Sequence, residues 1–190
     1  METGQEPHHW EWYWTEGEMF PGSDWGTVLP ETNIKKKSQV PPSEHDLFFR
    51  DGRQCVKVFG PGSPGSPMHA VLSQAVPSLQ VGRRYRFVVP MYVDVFRWEG
   101  EKVPPGDDWA AEVRLGVMSA DATWPEGVVS LTEPPWNGSN TPNFYLSTHD
   151  FSFDFIASET EMIVYVEVWA KWADLTNGFF MDDLKLIPLP

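Results

Sequence analysis

The chain carries a single cysteine, Cys55, in 190 residues. No intrachain disulfide is possible, and the redox compartment stays open. Basic residues are scarce as well: 14 Lys and Arg stand against 27 Asp and Glu, a net charge of −13. A nucleic-acid surface needs clustered Lys and Arg, so no nucleic-acid partner is expected. The one basic run, Lys35 to Lys37, reads as a solvated loop. No apolar stretch approaches the length of a membrane helix, so no membrane span is expected. The opening "METGQEPHHW" has no signal-peptide pattern. That start fits a cytosolic chain or a segment cut from a longer exported one, which would carry further domains and lie outside the cell.

Catalytic signatures are missing too. None of His8, His9, His45, His69 and His149 has the spacing of a zinc helix. There is no nucleophile elbow, no dinucleotide fingerprint and no phosphate loop. "GPGSPGSP" (Gly60 to Pro67) is rich in glycine, but its prolines remove the amide donors a phosphate cradle requires. Paired carboxylates suit a glycosidase, yet 27 acidic residues produce pairs by chance. The chain reads as a binding protein rather than an enzyme. Cys55, in an apolar strand, reads as inert core.

What the chain has in plenty is turn formers and rings. Eighteen Pro and fifteen Gly divide it, and ten Trp and twelve Phe exceed what a core of this size needs. Between the breakers, residues alternate with the strand period of two. In Arg83 to Phe96, Tyr85, Phe87, Val89, Met91, Val93 and Val95 share one face. In Trp109 to Met118, Val113, Leu115 and Val117 do so. Phe151, Phe153 and Phe155 alternate with Ser152 and Asp154, and Met162, Val164, Val166 and Val168 form another face. Trp10, Trp12 and Trp14 fall together, opposite Glu11 and Tyr13. "CVKVFG", "AVLSQAV" and the closing "GFFMDDLKLIP" complete the set. Seven or more such strands predict an all-β chain: one antiparallel β-sandwich of jelly-roll type over residues 1–190.

Parity then assigns an opposite face. With the valines inward, Tyr92, Asp94, Glu112, Arg114, Tyr165, Glu167 and Trp169 point outward. On neighbouring strands they form one surface of rings beside carboxylates and a guanidinium. That chemistry suits a sugar: the C–H face of a pyranose stacks on a ring, and its hydroxyls pair with charged planar groups. The competing reading is that another segment covers this face and the rings form a small second core. Trp98, Trp109, Trp124, Trp136 and Trp172 are further candidates in loops.

The order "FFRDGRQCVKVFG", "HAVLSQAVPSLQVGRRYRFVVPMYV" and "GFFMDDLKLIP" resembles the galactose-binding-like β-sandwich common among carbohydrate-binding modules. Gln74, Gly82, Tyr85 and Phe87 match its middle motif, and Asp182, Asp183 and Leu184 its Asp-Asp ending. The resemblance spans Phe48 to Val95 and Phe179 to Pro190, with only a strand pattern between. It implies a non-catalytic module that binds carbohydrate. The rival role is a structural or adhesion domain for a protein partner, and a rarer third is a glycan-active enzyme. It also implies that one Asp of the pair helps to hold a structural calcium ion, with Asp51 and carbonyls of the turn Arg50 to Gln54 as further ligands. The family's opening Asn-x-x-Phe-Glu strand has no clear counterpart here. The alternative role for the inward Asp is to accept hydrogen bonds from backbone amides or an Arg.

Overall fold

The structure is a computed structural model and describes residues 9–14, 29–60, 66–95, 111–122, 128–131, 148–173 and 178–190. Its strands are β1 (Glu11–Tyr13), β2 (Glu31–Lys36), β3 (Gln54–Phe59), β4 (Ser66–Val76), β5 (Arg84–Asp94), β6 (Ala111–Ser119), β7 (Val128–Leu131), β8 (His149–Ile156), β9 (Met162–Ala173), β10 (Gly178–Met181) and β11 (Lys185–Pro188). Helix among the described residues is confined to two single 3-10 turns and the four-residue α1 (His45–Phe48). The all-β expectation holds.

Two antiparallel sheets face each other. The first runs β1-β4-β9-β6-β7. In the second, β2, β3 and β10 lead to β5, which pairs with β11 on the β10 side and β8 on the other. The inward residues are those that parity named. Tyr85, Phe87, Val89, Met91, Val93 and Val95 from β5 meet Val113, Leu115 and Val117 from β6 and Met162, Val164, Val166 and Val168 from β9 in one buried core. β-branched and aromatic side chains suit such pleated, half-buried strands. Trp10 and Trp12 pack against the edge of that core, while Trp14 is exposed.

The lysine run is not a loop. Lys35 and Lys36 end β2, paired with Cys55 and Gln54, and Lys37 opens a 3-10 turn. The closing segment also departs from a continuous strand. β10 stops at Met181 opposite Met91, and β11 restarts at Lys185 opposite Val88. Asp182, Asp183 and Leu184 thus lie opposite only Val89 and Pro90. The Pro90 carbonyl accepts a long bond from the Asp182 amide, 3.4 Å. Proline has no N–H to return, so the ladder loses a rung there and the partner strand bulges. Asp183 takes the left-handed conformation, φ 55°. Neither Asp stands in mid-strand, so neither is forced into the core.

The outward face of the second sheet holds a smaller core. Phe49, Cys55, Tyr92 and Phe180 are buried there under Val40, Leu47 and Phe48, from the segment carrying α1. The Phe48 ring meets Phe180 at 4.5 Å and Tyr92 at 5.1 Å between centroids. Burial pushes the Cys55 thiol up to about 12, and the nearby Asp182 charge adds to the rise. Gly178, which opens β10, lets it lie close against β3: at φ +149°, a Cβ there would lie 2.4 Å from the Val58 carbonyl oxygen.

Candidate functional site

Five of the seven outward residues lie on the first sheet. β9 is central, flanked by β4 and β6. Arg114 and Val71 stand opposite Glu167, while Glu112 and His69 stand opposite Trp169. Ser73 and Gly116 stand opposite Tyr165. Tyr92 and Asp94 do not join them. They are on β5, facing outward from the other sheet, with a sandwich about 10 Å thick between. Tyr92 belongs to the small core under α1, and Asp94 is buried beside Gly178. Parity settles which face a residue takes within its sheet but not which sheet it belongs to, and this is why the single surface fails. The Glu112 and Trp172 side chains, and Trp98, Trp109, Trp124 and Trp136 altogether, lie outside the described residues.

The face is not an open platform. Tyr165, Val71, Ser73 and Met118 are fully buried, and Glu167 retains only 4% of its exposure. Trp169 and Arg114 are half-buried. Two interactions fix the indole. The Arg114 guanidinium carbon lies 4.1 Å from its ring centroid, a cation–π stack. The His69 ring tilts against it at 5.6 Å. The His69 Nε2–H also donates to Glu167 Oε1 at 3.0 Å. The other oxygen, Glu167 Oε2, is buried and has no hydrogen-bond partner. Burial and the neighbouring Glu167 charge raise the Tyr165 hydroxyl above its usual range, against the pull of Arg114, so it stays a neutral phenol.

A carboxylate oxygen removed from water without a donor costs about 1–3 kcal/mol or more, since it is charged. It accepts whatever O–H or N–H donor reaches it. A buried acceptor thus lies about two residues, or roughly 7 Å, along the same strand face from a half-exposed indole. His69 was not among the expected site residues. Half of the signal is in the sequence: with Ala70 and Leu72 inward, His69 must point outward; its place beside Trp169 comes only from the pairing of β4 with β9.

The expected metal ligands are occupied otherwise. Asp182 Oδ2 accepts from the backbone amides of Arg50 and Asp51, both at 2.9 Å, and Oδ1 accepts from the Asp183 amide at 2.9 Å. Asp51 turns its carboxylate to its own turn, accepting from the Gly52 amide at 2.8 Å. Asp183 pairs with Lys185. Amide hydrogens aimed at a carboxylate take the positions a cation would need, so this donor set does not fit calcium. No group of three or more His, Cys, Asp or Glu among the described residues is placed to hold a metal ion. Burial raises the Asp182 carboxyl above its ordinary value, and the three amides oppose the rise.

No family model matches the chain, and no curated protein matches it. Solved structures resemble it at low identity. One is the enzymatically active domain of tailspike protein 4 from bacteriophage CBA120, with a TM-score of 0.48 and 8% identity over 96% of this chain. This chain spans only 20% of that one. Another is TmCBM61 in complex with beta-1,4-galactotriose, with a TM-score of 0.47 and 13% identity over 83% of this chain and 88% of that one. A third is the K2 cleaved adhesin domain of Lys-gingipain, with a TM-score of 0.42 and 15% identity over 99% of this chain and 93% of that one.

Proposed function

We propose that the chain is a carbohydrate-binding domain that takes a glycan on the outward face of β4, β9 and β6, at the end where Trp169 and Arg114 reach solvent. One observation carries this reading: Glu167 Oε2 is buried without a donor beside a half-exposed indole. A pyranose supplies both complements at once, a hydroxyl for the carboxylate and a C–H face for the ring. Arg114 brings a fork of N–H donors for the hydroxyl oxygens. Tyr165 lies beneath as a buried support rather than a contact. Tyr92 and Asp94 take no part, and Asp182 staples the turn Arg50–Gln54 to the end of β10 by hydrogen bonds instead of calcium.

The reading is of binding without cleavage. A glycan array should show bound glycans, and adding such a glycan should quench Trp fluorescence. Trp169→Ala should leave the chain folded, at a cost of about 1–3 kcal/mol for a partly exposed ring, and should weaken glycan binding at least tenfold, or about 1.4 kcal/mol. Full affinity in that variant would remove the site from this face. Release of new reducing ends from a bound glycan would replace binding with enzymatic cleavage. Capture of a protein partner with no glycan bound would favour the adhesion role.

A further inference from the structure

We propose that Glu167 sets the specificity of this face, selecting neutral glycans over the same backbones bearing carboxylates; this rests on the carbohydrate reading above. The bare oxygen is an acceptor only. A neutral sugar answers it with a hydroxyl, forming a charge-assisted O–H···O⁻ bond, among the stronger hydrogen bonds. A uronic acid presents a second carboxylate to the first, and like charges at close range in a recognition site disfavour binding.

Arg114 opposes this selection: it pairs with Glu167 in the sheet register, its guanidinium lies over the Trp169 ring, and that cation would attract an acidic sugar. The two charges are not equally screened. Glu167 is 96% removed from solvent, since it retains 4% of its exposure, and its field acts through protein. Arg114 is half-exposed, and water and salt screen it. Part of its approach is also spent against the Trp169 ring at 4.1 Å. The carboxylate therefore prevails close in. At long range the net charge of −13 acts in the same direction, repelling polyanions. His69 makes the selection rigid: by holding Oε1 at 3.0 Å it fixes which oxygen remains for the ligand.

The test uses backbones that differ only at carbon six. Calorimetric titrations would compare β-1,4-manno-oligosaccharides with β-1,4-mannuronate oligosaccharides, and cello-oligosaccharides with their β-1,4-glucuronate counterparts. The native chain should bind at least one neutral member and its acidic counterpart about tenfold more weakly or worse, the factor that about one lost hydrogen bond to a charged group supplies. That ratio should persist at 1 M salt, where repulsion by net charge is screened out. Glu167→Gln should bind the neutral member more weakly and close the gap. Equal or tighter binding of the acidic member overturns the proposal and leaves the carbohydrate reading standing. So does a ratio that vanishes at high salt, which needs no variant and decides the matter should Glu167→Gln fail to fold. If the native chain binds neither neutral series nor any glycan on the array, the carbohydrate reading falls, and this proposal with it.

Discussion

The two outward faces of the sandwich begin alike and end differently. Each presents rings among charged residues, and each is largely buried. On the second sheet the chain completes the face itself: Phe48 and Leu47 close over Tyr92, Phe180 and Cys55. The Lys57 ammonium lies 4.5 Å from the Phe59 ring and 5.5 Å from that of Phe180. Further along that sheet, Asp154 is paired with Arg86 and Arg84. On the first sheet one acceptor is left unmatched, Glu167 Oε2, the sole buried side-chain polar atom without a partner among the described residues. Rings alone do not distinguish a small core from a ligand face. An unsatisfied buried polar atom is a second, independent mark, because a donor that reaches it removes a cost the fold otherwise carries.

Breaking the second face should cost stability and spare binding. The largest effect is expected from Phe180→Ala, which empties the centre of the cluster under α1: about 3–5 kcal/mol, the usual cost of removing a buried Phe. A urea melt reads it, and glycan affinity of the folded fraction should match the native chain. A loss of affinity would mean that the two faces are coupled.

Next comes the staple. Asp182→Asn sets an amide NH2 against amide N–H donors, and should cost about 1–3 kcal/mol. The sign with pH is specific. Because its folded value is raised, the folded chain holds this proton more tightly than the unfolded one. The group's contribution to stability therefore falls as pH rises from the ordinary carboxylate value through the raised one. Melts across that window should show this slope in the native chain and lose it in Asp182→Asn. Adding a chelator should leave the midpoint unchanged; a clear drop would restore calcium to the Asp pair.

The smallest effect is expected at the solvent edge. Asp154→Ala removes its pairs with the exposed Arg84 and Arg86 side chains, and should lower stability less than either change above. The Arg86 hydrogen bonds hold the Asp154 carboxyl below its ordinary value. Its contribution is thus full above the ordinary carboxylate value and fades as pH falls through the lowered one. A double-mutant cycle with Arg86→Ala would measure it.

The comparison also shows where sequence reasoning works. Period-two alternation assigns inward and outward residues correctly along β5, β6, β8 and β9, because burial on one face leaves its mark at every second residue. It is silent on which strands are neighbours, and so cannot separate Tyr92 and Asp94, on β5, from the outward residues of the first sheet. The break in the final strand was legible one strand away: Pro90, in the middle of β5, withholds the donor that Asp182 to Leu184 would need to continue the ladder. The partnership of His69 with Glu167 spans 98 residues and depends on pairing of β4 with β9. Parity gives each its direction, and only the register brings them together.

On the proposed reading, ligand meets the first sheet and not the second. An amide and indole NMR titration with a glycan identified on the array tests it residue by residue. The largest shifts are expected at His69, Arg114, Glu167 and Trp169, including the Trp169 indole N–H, with Cys55, Tyr92 and Phe180 unmoved. Shifts centred on Tyr92, Phe180 and α1, with β9 silent, would contradict it.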